Sequence, residues 1–214
     1  MNLTRADIPW PAAGNPYQLH RRIWRLFPDE PEEPRRNAAG PRTGFLFRVE
    51  NYRESQRPGR PSRVLVQSRK TPRPAEGITL IASRRFDPQP SAGQRLAFLL
   101  TANPIRNIRD QQLAQKPDKR RDSCRVPLIR EEEQRDWLAR KLAGAATIET
   151  VSLLPHQPLF FRRGNRAGKL VTITFEGTLQ VRDPEILVHR LENGIGSGKA
   201  FGCGLLLVRR LGTV

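Results

Sequence analysis

The chain has 214 residues, enough for one large domain or two small ones. Lysine and arginine number 38 against 21 acidic residues, and the resulting charge of +17 at pH 7 points to a polyanionic partner, with arginine's dominance suiting bidentate phosphate contacts. Cys124 and Cys203 stand far apart outside any C-x-x-C pair, no apolar run reaches transmembrane length and the first residues lack a signal-peptide core, so a zinc or disulfide framework and a membrane span are not expected and a cytoplasmic location is.

In chain order, residues 2–8 fit a short strand. Asn15 and Pro16 follow as N-cap and first position of a helix, with Gln18 placed to complete a capping box. The spacing of Leu19, Ile23, Leu26 and Phe27 predicts one apolar stripe, and Pro28 stops the helix at about Phe27. Residues 28–43, rich in Pro, Glu and Arg, read as a loop. Phe45–Glu50 and Val64–Gln67 predict strands, joined through the Arg-Pro-Gly-Arg-Pro stretch at 57–61, and a further strand is expected at Ile78–Ser83. Asp87–Gly93 has the composition of a linker, which divides the chain into domains at 1–92 and 93–214.

The second half reads as strand Arg95–Thr101, helix Arg130–Ala143, strands Thr147–Leu154 and Leu170–Val181, helix Pro184–Leu191 and strand Leu205–Arg209. This β-α-β-β-α-β order is that of a ferredoxin-like domain. Trp137, Leu138, Lys141 and Leu142 mark the inward stripe of its first helix; Asp183 and Pro184 start the second, which Gly194 ends. The first half supplies a strand, a capped helix and further strands but no second helix, as a partial copy would. The expected class is α+β, built from tandem ferredoxin-like domains.

Three constellations bear on chemistry. Tyr17, His20 and Trp24 share a helix flank a quarter turn or more from the Leu19 and Ile23 stripe, among Arg21, Arg22 and Arg25. A histidine ordinarily titrates at about 6.5 and can serve as acid or base beside a bound phosphodiester; capping or packing is the ordinary alternative for His20. Asn193–Gly204 is a glycine-rich loop in which Gly196, Gly198 and Lys199 suit close approach to a phosphate, against the alternative of a tight turn with no ligand. It is not a nucleotide-binding P-loop, because Asn193 replaces the first glycine, Ala200 stands where a Mg²⁺-holding hydroxyl belongs, and the loop follows a helix. Finally, Arg106, Arg109, Lys116, Lys119, Arg120, Arg121 and Arg125 crowd the segment Ile105–Arg125, and Arg162, Arg163, Arg166 and Lys169 form a similar cluster. Both clusters suit contacts to an RNA backbone, and both are also what a solvated charged loop looks like. No carboxylates pair at metal-binding spacing, His156 reads as a loop residue and His189 as a helix-surface or packing residue, so neither metal nor cofactor is expected.

Several separated motifs run in order along the chain: Tyr17-Gln-Leu-His20 with Trp24 and Leu26-Phe-Pro28, Phe45–Glu50, Ala102-Asn-Pro-Ile105, Cys124–Ile129, Phe175-Glu-Gly177 and Gly194–Gly204. Together they resemble the CasE family, the repeat-cleaving subunits of the type I-E CRISPR Cascade complex. The resemblance implies tandem ferredoxin-like domains that cut precursor CRISPR RNA at the base of each repeat stem-loop, retain the hairpin product and assemble with the other Cascade subunits. It implies a metal-independent reaction in which the RNA's 2′-hydroxyl attacks the adjacent phosphorus, leaving a 2′,3′-cyclic phosphate and a 5′-hydroxyl. His20 matches the family's catalytic histidine and Tyr17 an assisting tyrosine, while Arg25 falls where some members have an active-site lysine. The rival reading is a non-catalytic scaffold subunit that binds an RNA hairpin with an idle His20.

Overall fold

The computed structural model describes residues 1–10, 12–30, 44–50, 57–109, 123–155, 158–163 and 166–211. The first half contains β1 (Asn2–Ile8), α1 (Pro16–Trp24), β2 (Phe45–Val49), β3 (Ser62–Ser68) and β4 (Thr79–Arg85). These strands form one antiparallel sheet in the order β2-β3-β1-β4. Alternation along β1 explains its facing: Ala6 and Ile8 are buried, while Arg5 and Asp7 point outward and pair with Glu50 and Arg63 at 2.6 and 2.9 Å. Asn15 caps α1 as expected, its Oδ1 accepting the Tyr17 N–H at 3.1 Å. The regular helix ends at Trp24 rather than Phe27. The next three amides bond three residues back, Arg25 to Arg22, Leu26 to Ile23 and Phe27 to Trp24, so the chain tightens ahead of Pro28 while Leu26 and Phe27 stay buried.

The second half runs β5 (Arg95–Ala102), β6 (Ile105–Arg109), β7 (Ser123–Pro127), α2 (Glu131–Leu142), β8 (Ala146–Pro155), β9 (Leu159–Arg163), β10 (Arg166–Leu170), β11 (Ile173–Val181), α3 (Pro184–Asn193) and β12 (Leu206–Arg210). Its main sheet has the antiparallel order β12-β5-β11-β8, with the hairpins β6–β7 and β9–β10 inserted into the ferredoxin-like order. The first half has the same order without its second crossover helix, so the protein is a tandem ferredoxin-like α+β fold. Among the described residues, no helix is long and apolar enough to cross a membrane.

Each sheet has its own core. In the second, Leu138 and Leu142 of α2 and Leu187 and Leu191 of α3 pack over Phe175 and Leu179, with Trp137 stacked on Phe175 at 6.1 Å. Lys141, expected at the edge of this stripe, is exposed and holds its ammonium 5.9 Å from the Trp137 ring centroid. Asp183 caps α3 through two N–H bonds to its Oδ1, from Glu185 at 2.9 Å and Ile186 at 3.0 Å. The strand expected over Leu170–Val181 is two elements. The chain leaves β10 at Leu170 and enters β11 at Ile173, and at the step between them Asn103 Nδ2 donates to the Val171 carbonyl at 2.6 Å. Likewise, the ends of the expected loop at 105–125 are β6 and β7.

The halves meet along the polar and glycine-rich end of α3. Gln67 of β3 donates a buried hydrogen bond to the Leu191 carbonyl at 2.7 Å. Gly194 ends α3 with φ 70°, and a Cβ there would sit 2.9 Å from both the Leu46 methyls and the Gly204 carbonyl. Only glycine meets both requirements, so Leu46 of β2 lies directly on this loop.

Candidate active site

Helix α1 sits on the seam between the halves. Its first turn is tied to β9 by Asn15, whose Nδ2 donates to the Arg162 carbonyl at 3.2 Å, and it packs against the 3-10 turn Lys199–Phe201 of the glycine-rich loop. Tyr17 and His20, three residues apart, are both half-buried. The His20 ring lies 5.2 Å from Phe45 and 6.2 Å from Phe47, and meets Trp24 edge-on at 6.0 Å. Phe45 in turn contacts Trp24 at 4.9 Å and stacks on Phe27 at 5.4 Å. The flank expected to stand clear of the core is therefore split: Trp24, 6% exposed, belongs to the first core, while His20 packs on the aromatic residues of that core and is half-buried. An imidazole held this way has few orientations, which suits proton transfer at a fixed point.

A separate group lies round the helix. Gln18, Arg21, Arg22 and Arg25 line one open depression of about 240 Å³, as spacing of three and four residues dictates. Arg21 and Arg25 are exposed and Arg22 is half-buried. Arg25 thus groups with the basic side chains of this face, while Tyr17 and His20 form the adjacent flank.

The glycine-rich loop is tied at several points. Ile195 N–H donates to the Gly204 carbonyl at 2.9 Å, Gly204 N–H to the Thr101 carbonyl at 2.7 Å, and Ser197 Oγ to Asn103 Oδ1 at 3.2 Å. Lys199 Nζ donates to the Asn193 carbonyl, placing its charge at the negative end of α3. The half-exposed Lys199 therefore helps hold the loop closed, a role beyond the phosphate contact its sequence suggested. Gly196 lies against the Trp137 ring and Gly198 against Leu170 and Cys203, whose thiol burial pushes up to about 12.

The remaining basic residues spread over the two hairpins. Arg106 pairs with Glu133 of α2 at 3.2 Å, Arg125 is exposed on β7, and Arg109 ends β6. Lys116, Lys119, Arg120, Arg121 and His156 lie outside the described residues. On the second hairpin Arg162 and Lys169 are exposed, and Arg163 and Arg166 are register partners. His189 is exposed on α3, beside the Asn193 amide. Sequence reasoning missed the aromatic shell of Phe45 and Phe47 and the ring contact of Phe161 with Phe201 at 4.4 Å. The period-two placement of aromatics at 45 and 47, and of Leu159 and Phe161, was the available signal.

The chain matches the family described as "CRISPR associated protein" over residues 4–210. It is 39% identical over 196 residues to the CRISPR system Cascade subunit CasE of Escherichia coli K12, covering 89% of each chain. It is 33% identical over 211 residues to the CRISPR-associated endoribonuclease Cse3 of Thermus thermophilus, covering 91% of this chain and 90% of that one. The structure is similar to that of Cas6e from E. coli K-12, with TM-score 0.81 and 35% identity over 99% of this chain and 100% of the other. It is also similar to the CRISPR endoribonuclease Cse3 bound to a 19-nucleotide RNA, with TM-score 0.74 and 31% identity over 98% and 100%. With the match running through α1, both sheets and the glycine-rich loop, the chain belongs to the CasE/Cse3 family of CRISPR-associated proteins.

Proposed function

We propose that this chain is the endoribonuclease that cuts precursor CRISPR RNA at the base of the repeat stem-loop, without a metal ion, and keeps hold of the hairpin as part of a Cascade complex. The observation that carries the reading is the pair Tyr17 and His20, half-buried and one turn apart on α1, the helix that packs against the glycine-rich loop and carries the basic face on an adjacent flank. The names of the relatives support the endoribonuclease class and an RNA ligand. The functional division falls at residues 92 and 93, so that α1 comes from one half and the loop from the other.

In the reaction, the 2′-hydroxyl oxygen attacks the adjacent phosphorus while its proton passes to a base. The bond from phosphorus to the 5′-oxygen breaks, and that oxygen takes up a proton, leaving a 2′,3′-cyclic phosphate and a 5′-hydroxyl. His20 and Tyr17 share the accepting and donating roles. Such help is typically worth about 10² to 10⁴ in rate, and alignment of the hydroxyl with the leaving oxygen adds to it. A guanidinium suits charge-holding rather than proton transfer, so Arg25 acts with Arg21 and Arg22 by holding phosphate charge.

The test is cleavage of an end-labelled repeat stem-loop in excess EDTA by wild type and His20→Ala. Cutting by wild type alone, with equal binding by both, is the expected result. Tight binding by both with cutting by neither would replace this reading by the RNA-binding scaffold.

A further inference from the structure

The β9–β10 hairpin has two different faces. Leu159, Phe161, Gly168 and Leu170 alternate toward the protein, and the register sets Gly168 opposite Phe161. A Cβ on Gly168 would run into the Phe161 ring, so the glycine makes room for that ring, which packs on Phe201 of the glycine-rich loop. Leu170 lies on the same loop at Gly198. The opposite face presents Phe160, Arg162, Ala167 and Lys169, all exposed. Phe160 is 68% exposed, and its register partner Lys169 holds an ammonium 5.9 Å from the ring centroid.

A lone exposed apolar side chain needs no ligand. What distinguishes Phe160 is its setting: a flat ring between cations, beside a small Ala167, on a ribbon anchored to the loop and to α1 through Asn15. Side chains do not read the deep, narrow major groove of A-form RNA, whereas unpaired bases are commonly held by stacking on aromatic rings with cations on the flanking phosphates. Resting on the proposed ribonuclease function, we infer that Phe160 is a stacking platform for an unpaired nucleobase next to the repeat stem, with Arg162 and Lys169 holding its phosphates. This would fix the strand leaving the stem relative to α1, making Phe160 a positioning residue for the cut.

The test uses the full chain carrying His20→Ala, so that RNA stays intact, and repeat stem-loops with 2-aminopurine at each unpaired flanking position in turn. Stacking quenches the fluorescence at one position; Phe160→Ala removes that quenching and weakens binding roughly fivefold to 150-fold, while Phe160→Tyr retains both. Thermal melts of the variants should match, because the ring is exposed. Quenching and affinity unchanged by Phe160→Ala would overturn the inference, as would loss of association with Cascade proteins and not RNA, which would make Phe160 a protein contact. Wild-type cutting in EDTA, measured in parallel, separates the cases: if it persists, only the stacking role falls, and if wild type neither binds nor cuts the stem-loop, both readings fall.

Discussion

Replacing Phe45 by leucine tests whether the aromatic shell positions His20. Phe45 is 5% exposed and touches His20, Trp24, Phe27 and Phe47, with ring centroids 4.9 to 6.1 Å away. Truncation to alanine would cost about 3–5 kcal/mol, a large share of the roughly 5–15 kcal/mol that ordinarily holds a domain together. Leucine keeps most of the volume and loses chiefly the ring–ring contacts, so the expected cost is about 1–2 kcal/mol and the fold survives. The imidazole then loses its nearest aromatic neighbour. A displacement of order 1 Å at a reacting group can cost about a hundredfold in rate, so single-turnover cutting should slow by about tenfold or more while stem-loop affinity stays unchanged. Phe98→Leu, in the other core, is the control: it is 4% exposed and should cost similar stability without slowing the cut. Urea melts and single-turnover rates at saturating protein decide the matter. A Phe45→Leu rate within twofold of wild type, or an equal loss in Phe98→Leu, would refute the positioning role.

Arg25→Gln should lower the slope of log affinity against log salt by about one and leave the rate at saturation near wild type; a saturating rate reduced a hundredfold would instead make Arg25 part of the reacting site. Gly177→Ala drives a Cβ into the Thr150 carbonyl of β8, and β11 cannot yield because β5 holds its other side, so a loss of about 3 kcal/mol is expected, read as a lower urea midpoint. The Cys203 thiol is raised from 9.0 to about 12 by burial, so the folded state keeps a proton that the unfolded chain releases. Its contribution is whole below pH 9 and is lost at about 1.4 kcal/mol per pH unit up to pH 12. Comparison with Cys203→Ala over that window isolates the slope, and native thiol labelling should modify the exposed Cys124 first.

The elements with strong periodic or capping signals were legible in the sequence. Asn15 and Asp183 cap helices because a short side-chain oxygen can reach the free amides of the first turn, and both are seen doing so. The arginine-rich hairpins were not legible as strands. Their outward faces carry charge, their inward faces include Gly168, and two-stranded ribbons bury too little for alternation to stand out. Of the proposed site, Tyr17 and His20 were legible as a pair through residue type and helical spacing, and both lie half-buried on α1. The shell behind them was not, because Phe45 and Phe47 reach His20 across a sheet-to-helix contact that no local pattern records.

The missing helix of the first half explains why the site lies on the seam. In the second half two helices cover the sheet, and Leu138, Leu142, Leu187 and Leu191 close its core completely. In the first half the chain between β3 and β4 supplies no helix, so among the described residues α1 is the one α-helix over β2, β3 and β1, and its aromatic flank needs cover from elsewhere. The glycine-rich loop and β9 provide that cover, through Leu46 against Gly194, Phe47 against Gly202 and Asn15 on the Arg162 carbonyl. A side chain larger than hydrogen at Gly194 would push this cover away, and a second helix in the first half would compete for the same apolar surface. His20 is half-buried because the covering element comes from the other half of the chain and closes over the aromatic shell without sealing it. An imidazole so placed is held on its packed side by Phe45, Phe47 and Trp24, which is the arrangement the proposed cut requires.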